Sequence, residues 1–214
     1  MIVLDIETSG LDTGKCGIWQ IGAIDLETRE EFLEEGRIDE EDKVEEGALR
    51  VTGKTEEELR NEKKQSQKQL ILNFLEWVKN FQTKIIIGQN IGFDMMFMQT
   101  KCIRYGIQKE FRETIGSKGL DTYTIAQIKH LEKKGNYSLK ENGVGDMSLG
   151  KVLEFCGLVD NRMELSGTKV VKKGTPHNAL EDCKLEAEAF SRLIYGKNLL
   201  PEFKEFEIPD YLIK

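Results

Sequence analysis

The chain opens "MIVLDIETSG" (Met1–Gly10), and the reading of this stretch decides the architecture. Met1 to Glu7 reads as a β-strand. Ile2, Val3, Leu4 and Ile6 leave neither face polar, the pattern of a strand covered on both sides. Asp5 and Glu7 are two apart, so their side chains leave the same face about 7 Å from each other along the chain. "TSG" then turns the backbone. Two acids ending such a strand are either a solvated strand edge or part of a site. The strand alone leaves both readings open.

Working outward, Gly17–Glu27 and Arg29–Ile38 read as two further strands, with the polar Glu27–Glu30 as a hairpin turn. Val44–Leu59 reads as two short helices, the second opened by a capping box at Thr55–Glu58. Gln67–Phe81 carries Leu70, Phe74, Trp77, Val78 and Phe81 at helical spacing. Lys84–Gly88 is a short apolar strand, Phe93–Gly106 a helix stopped by Gly106, and Leu120–Lys134 a brief strand running into a helix. Ser148–Leu158 and Asn178–Tyr195 complete the helices. Gly135–Gly145 and the basic "GTKVVKKGT" (167–175) read as loops. An antiparallel meander followed by strands alternating with helices gives an α/β protein with a mixed sheet flanked by helices. Residues 1–195 form the expected domain. Residues 196–214, with two of the three prolines, are expected as a tail packed on it.

The 214 residues suffice for one domain with a sizeable core. A charged fraction of 32% describes a highly charged surface. No apolar run reaches membrane-spanning length, and an aspartate at position 5 argues against a secretory signal. The expected location is cytoplasmic, with no membrane partner. Cys16, Cys102, Cys156 and Cys183 form no CxxC pair and are expected as free thiols. A net charge of −7 argues against gripping duplex DNA by bulk electrostatics. It leaves room for a nucleic-acid enzyme whose bound cations reverse the local field.

Three more acidic or basic residues stand out. Asp94 follows the apolar strand and the turn "GQNIG" at a helix start, where aspartate is expected as an N-cap. Asp182 shares a helix face with Leu185, Ala189 and Leu193. An unpaired carboxylate there costs several kcal/mol, so it needs a partner such as a metal. His177 lies on the loop ahead of that helix, while His130, on a Lys- and Glu-rich helix, reads as a solvated surface residue. Strand ends and helix starts of an α/β sheet gather at one edge. Four carboxylates and a histidine meeting there would repel one another without cations. Oxygen ligands select Mg²⁺ or Mn²⁺, and two such ions about 4 Å apart suit phosphodiester chemistry.

"LDIETSGLD", "GQNIGFD" and "HNALED" resemble the three motifs of the DEDDh, or DnaQ-like, 3′→5′ exonuclease superfamily, which includes ribonuclease T and proofreading subunits. "WQIGAIDL", "EEGALRVTGKT", "LDTYTIA" and "SLGKVLEFCGL" resemble intervening segments, so the likeness covers nearly the whole chain. It implies an RNase H-like fold and release of 5′-mononucleotides from single-stranded DNA or RNA. By position, Asp5, Glu7, Asp94 and Asp182 resemble the metal ligands and His177 the general base. Thr8, Leu11, Val51, Thr52 and Asn90 are implied around the terminal nucleotide. The loop lysines Lys169, Lys172 and Lys173 either meet phosphates near the site or simply face solvent. The partner implied is a 3′ end and, for a proofreading enzyme, a polymerase or other replication or repair protein. Two departures stand out: Gln89 where many members have histidine, and Ser9 for the commoner second threonine. The alternatives are a non-catalytic nucleic-acid-binding module on the same fold and a hydrolase of very short oligonucleotides. An intact five-residue set favours the exonuclease.

Overall fold

The structure, a computed structural model, describes residues 1–166 and 169–213, with the backbone only for Leu165 and Ser166. Its centre is a six-stranded mixed sheet in the order β4-β3-β2-β1-β5-β6. Strands β1 (Ile2–Thr8), β2 (Ile18–Asp25) and β3 (Glu31–Arg37) form the antiparallel meander. β5 (Ile86–Gly88) lies parallel to β1, and β6 (Gly119–Asp121) parallel to β5. A two-residue strand β4 (Gln65–Ser66) extends the other edge. This is the RNase H-like arrangement.

The alternation of β1 places the helices. Ile2, Leu4 and Ile6 pack with Leu70, Phe74 and Val78 of α3 (Gln67–Lys79) and Phe97 of α4 (Gly92–Arg104). Val3, on the opposite face, packs with Cys183, Ala187 and Phe190 of α8 (Ala179–Tyr195). Asp5 and Glu7 share the parity of Val3, so period two aims them at α8. α1 (Glu46–Thr52) and α2 (Glu56–Leu59) follow the meander, and the Thr55–Glu58 capping box is formed. α5 (Gln108–Thr114) is a short helix after α4. α6 (Thr122–Lys134) and α7 (Leu149–Phe155) close the second half with α8. Phe203, Phe206, Ile208, Tyr211 and Leu212 from the C-terminal segment pack on that same cluster; Lys214 lies outside the described residues.

Two expectations are corrected. The basic segment before His177 is not a loop: β7 (Glu164–Ser166) and β8 (Lys169–Lys172) form an antiparallel hairpin, although 167–168 lie outside the described residues. β8 is largely exposed, including Val170 and Val171, so it lacks the one-sided apolar pattern by which strands are read. Second, Asp94 is not an N-cap. Ile91 holds that position, and the Asp94 side chain turns inward to the sheet. His130 is half-buried, its Nδ1 2.8 Å from the Asn136 carbonyl. All four cysteines are free and buried. Among the described residues no helix is long and apolar enough to cross a membrane.

Candidate active site

The site forms where β1 outruns its neighbour. β1 pairs with β5 only through Ile2 and Val3, so the strands part beyond that point. The backbone N–H of Ile6 donates to Asp94 Oδ1 at 3.1 Å. This bond orients Asp94, 4% exposed, beside the two acids of β1.

On the other face, α8 begins against the sheet. Asn178 caps it, accepting from Leu180 and Glu181, and Gln20 accepts from the N–H of Ala179 at 2.9 Å. Gly22, paired with Asp5 across β1 and β2, permits the approach. A Cβ on Gly22 would stand 2.3 Å from the Ala179 carbonyl carbon. The close fit delivers Asp182, one turn into α8, to the end of β1. Donor atoms of Glu7, His177 and Asp182 all lie within 4.8 Å of one another. Such a group can hold a metal ion.

The surrounding charges follow from burial. Burial raises the Asp5 carboxyl well above the usual carboxylate range, and Asp94, Asp182, Glu186 and Glu7 push it further. Burial likewise brings Glu7 up to about 8, with Asp182 adding to it and His177 opposing. Asp94 reaches about 8 through burial, against the hydrogen bonds it accepts. Glu186, 1% exposed, is raised well above its usual value by burial, Asp94 and Asp182. It accepts from the N–H of Gln89 at 3.0 Å, tying α8 to the β5–α4 turn.

His177 Nδ1 is 3.3 Å from Asp182 Oδ2, and its Nε2 is 2.9 Å from the Met163 carbonyl. Burial, the largest single influence, lowers its pKa, but the hydrogen bond and charge of Asp182 and the Met163 carbonyl together outweigh it, and the net shift is upward. A ring facing two acceptors satisfies both only as an imidazolium.

A cavity of about 290 Å³ opens beside Glu7, lined among others by Thr8, Leu11, Val51, Thr52 and Phe93. Leu11 is 75% exposed at its edge. The backbone N–H of His177 donates to the Val51 carbonyl, which ties this cavity to the histidine. Asn90 lies at the β5–α4 turn, with φ 55° and its N–H donating to Asp121 Oδ1. Lys172 pairs with Glu164, while Lys169 and Lys173 are exposed.

Sequence reasoning missed Glu186, Arg162 and Phe93. Glu186 had a signal, being four residues after Asp182 and hence on the same face. Phe93 immediately precedes Asp94 in a motif already noted. Arg162 meets Asp182 at 3.1 Å across twenty residues, and no local pattern announces that contact.

Fold and site together define an α/β protein with an acidic, metal-competent centre at the end of its first strand. The family described as "RNase_T: Exonuclease" matches residues 2–190, and the chain belongs to that family. It is 28% identical to a DNA polymerase III PolC-type of Thermotoga petrophila over 195 residues, covering 90% of this chain and 12% of that protein. A PolC-type polymerase of Pediococcus pentosaceus is 28% identical over 140 residues, 63% of this chain and 9% of the relative. Among solved structures, a product-bound exonuclease I superposes with a TM-score of 0.67 at 16% identity, covering 92% of this chain and 43% of that one. Escherichia coli exonuclease I with a dA16 oligonucleotide gives 0.65 at 15% identity, over 92% and 40% of the two chains. At these identities the structural likeness concerns the fold.

Proposed function

We propose that this protein is a divalent-metal-dependent 3′→5′ exonuclease that releases 5′-mononucleotides from single-stranded DNA or RNA. The observation that carries the reading is the meeting of Glu7, His177 and Asp182 beside a cavity that shares Glu7. The donor set fits hard cations such as Mg²⁺ or Mn²⁺. Among the described residues Asp182 Oδ1 is buried without a hydrogen-bond partner, and the surrounding carboxyls cannot all ionise without a counter-cation. Asp5, Glu7, Asp94 and Asp182 would hold the ions, with Glu186 behind them. Two bound cations would supply a more acidic water and stabilise charge on the phosphodiester.

The remaining roles belong to the chain. The terminal nucleotide would lie against Thr8, Leu11, Val51 and Thr52, with Phe93 as an aromatic wall for stacking. Met163 keeps the proton on His177 Nε2. Once the ring gives up its contact with Asp182 and releases the Nδ1 proton to solvent, the freed Nδ1 is the nitrogen that takes the proton of the attacking water. Asn90, on the turn that carries Asp94, would join Thr8, Leu11, Val51 and Thr52 in binding the substrate.

Single-stranded DNA is bound in an Escherichia coli exonuclease I complex, which supports a single-stranded 3′ end as the partner here. The PolC-type relatives support a polymerase or another replication or repair protein as a second partner. Four free, buried cysteines suit a reducing compartment, and the proposed location is the cytoplasm. We assign the activity to residues 1–195, with 196–214 as a tail.

The test is digestion of 5′-labelled single strands, DNA and RNA of matched sequence, with Mg²⁺ or Mn²⁺. A ladder should shorten from the 3′ end, and a 3′-phosphate should block it, because it brings added charge to acidic walls. Asp182→Asn should cost ~1000-fold or more in turnover, beyond the loss of a single oxyanion donor. Cleavage of a circular single strand would make the protein an endonuclease instead.

A further inference from the structure

The two oxygens of Asp182 have different surroundings. Oδ2 lies 3.1 Å from Arg162 Nη1 and 3.3 Å from His177 Nδ1. Oδ1 has no hydrogen-bond partner among the described residues. Arg162 is gripped from its other side as well. Its Nε and Nη2 reach the two oxygens of Asp160 at 3.0 and 2.9 Å, and its backbone N–H donates to Asp160 Oδ1 at 2.9 Å.

A guanidinium is a flat, rigid fork. Fixed along one edge by a carboxylate, it points its remaining nitrogen in one direction. The Arg162 side chain is only 12% exposed, so few other orientations are open to it. Its backbone is held at the base of the β7–β8 hairpin, bridged to Thr175 two residues ahead of His177. The next residue, Met163, donates its N–H to the Thr175 carbonyl and offers its own carbonyl to His177 Nε2. One strand end thus touches both the histidine and the aspartate of the site.

We propose that Arg162 is a positioning residue for the metal site. Asp160 orients the guanidinium, the guanidinium holds Asp182 Oδ2, and Oδ1 is left as the oxygen available to a cation. The hairpin base is therefore part of the machinery and not a surface decoration. The proposal rests on the metal-dependent reading above. A plain counter-charge would need neither the fork nor its anchor, and that difference supplies the test.

Mn²⁺ binding should be measured by calorimetry on the full chain and on Arg162→Lys, Arg162→Gln and Asp160→Asn, with circular dichroism to confirm folding. Lysine keeps the charge but cannot grip Asp160 and reach Asp182 as a fork. Asp160→Asn keeps Arg162 and loosens its hold, and it carries the test if the Arg162 variants do not fold. Each should weaken Mn²⁺ binding by about 10- to 100-fold, the usual loss when an outer partner of a ligand is removed. At saturating Mn²⁺, kcat should fall while KM for a single-stranded oligonucleotide stays near that of the parent. Parental affinity in Arg162→Lys and Asp160→Asn, or tighter binding in Arg162→Gln, would overturn the positioning role. A parent chain that binds no Mn²⁺ would instead sink the metal-dependent reading itself.

Discussion

Helix α8 buries charge at both ends and treats the two ends in opposite ways. Near its C-terminal end, Glu188 and Arg192 are fully buried and pair at 2.8 Å. Every further donor direction of Arg192 finds a carbonyl, from Cys156, Phe203, Phe206 and Glu207. The second oxygen of Glu188 accepts from the N–H groups of Leu199 and Leu200. Near the N-terminal end, Asp182 and Glu186 are just as deeply buried but face Asp5, Glu7 and Asp94. Among the described residues, Arg162 and His177 are the cationic side chains that reach Asp182 there, and one of its oxygens stays without a partner. Complete pairing marks charge used to hold the fold together. Burial without sufficient counter-charge marks charge kept for something that binds.

The most severe break in that comparison is Arg192→Leu. It strips four carbonyls of their donor and leaves Glu188 buried without its counter-charge. Removal of one partner from a buried pair costs about 3–5 kcal/mol, so denaturant unfolding should shift by that amount, and the segment after Gly196 should become sensitive to protease. Arg192 lies about 15 Å along the helix from Asp182, so turnover per folded molecule should hold. An unchanged unfolding curve would show that the carbonyl collar contributes nothing.

How legible each end was follows from the range of its contacts. The apolar alternation of β1 and the helical spacing of α8 are local, and with them came the sheet, the last helix and the inward turn of Asp182. Taken by itself Asp94 reads as a cap, and only the resemblance points to a metal ligand, because a helix-start aspartate has the same local signature whether it caps or turns inward. The choice is made by the N–H of Ile6, eighty-eight residues away. The β7–β8 hairpin escaped because its exposed residues carry no burial pattern, and Arg162 because its partner lies on another element. The Arg192 collar was invisible for a related reason: carbonyl acceptors carry no residue identity that a sequence could display.

The unbalanced end should also report itself through pH. Folded, Glu7 and Asp94 stand at about 8, and Asp5 and Glu186 are raised as well. Unfolded, such groups titrate near ~4. Between those values the folded chain keeps protons that the unfolded chain has released. Metal-free stability is therefore highest at the acid side of this window and declines as pH rises through it. One pKa unit is about 1.4 kcal/mol. Because the carboxyls share their repulsion, the total decline is smaller than the sum over groups. Melting temperatures in chelator, from about pH 5 to about pH 8.5, should trace the fall, and added Mn²⁺ should flatten it. A flat profile in chelator would mean the acidic end is balanced after all.

The smallest expected change separates position from charge. Gly22→Ala adds one methyl where the start of α8 meets the sheet, 2.3 Å from the carbonyl carbon of Ala179 and 2.4 Å from the nitrogen of Leu180. Both neighbours are backbone, so the helix start must move. Overpacking of this kind costs about 1–3 kcal/mol, less than the loss of Arg192. The displacement falls on Ala179 and Leu180, between the histidine and Asp182, and leaves the collar at the other end untouched. Catalysis tolerates misplacement poorly, and a shift of about 1 Å can cost 100-fold. The variant should therefore lose a larger share of its turnover than of its stability, and Mn²⁺ affinity should weaken with it. If stability falls while the folded fraction turns over at the parental rate, α8 is not what sets the geometry of the site.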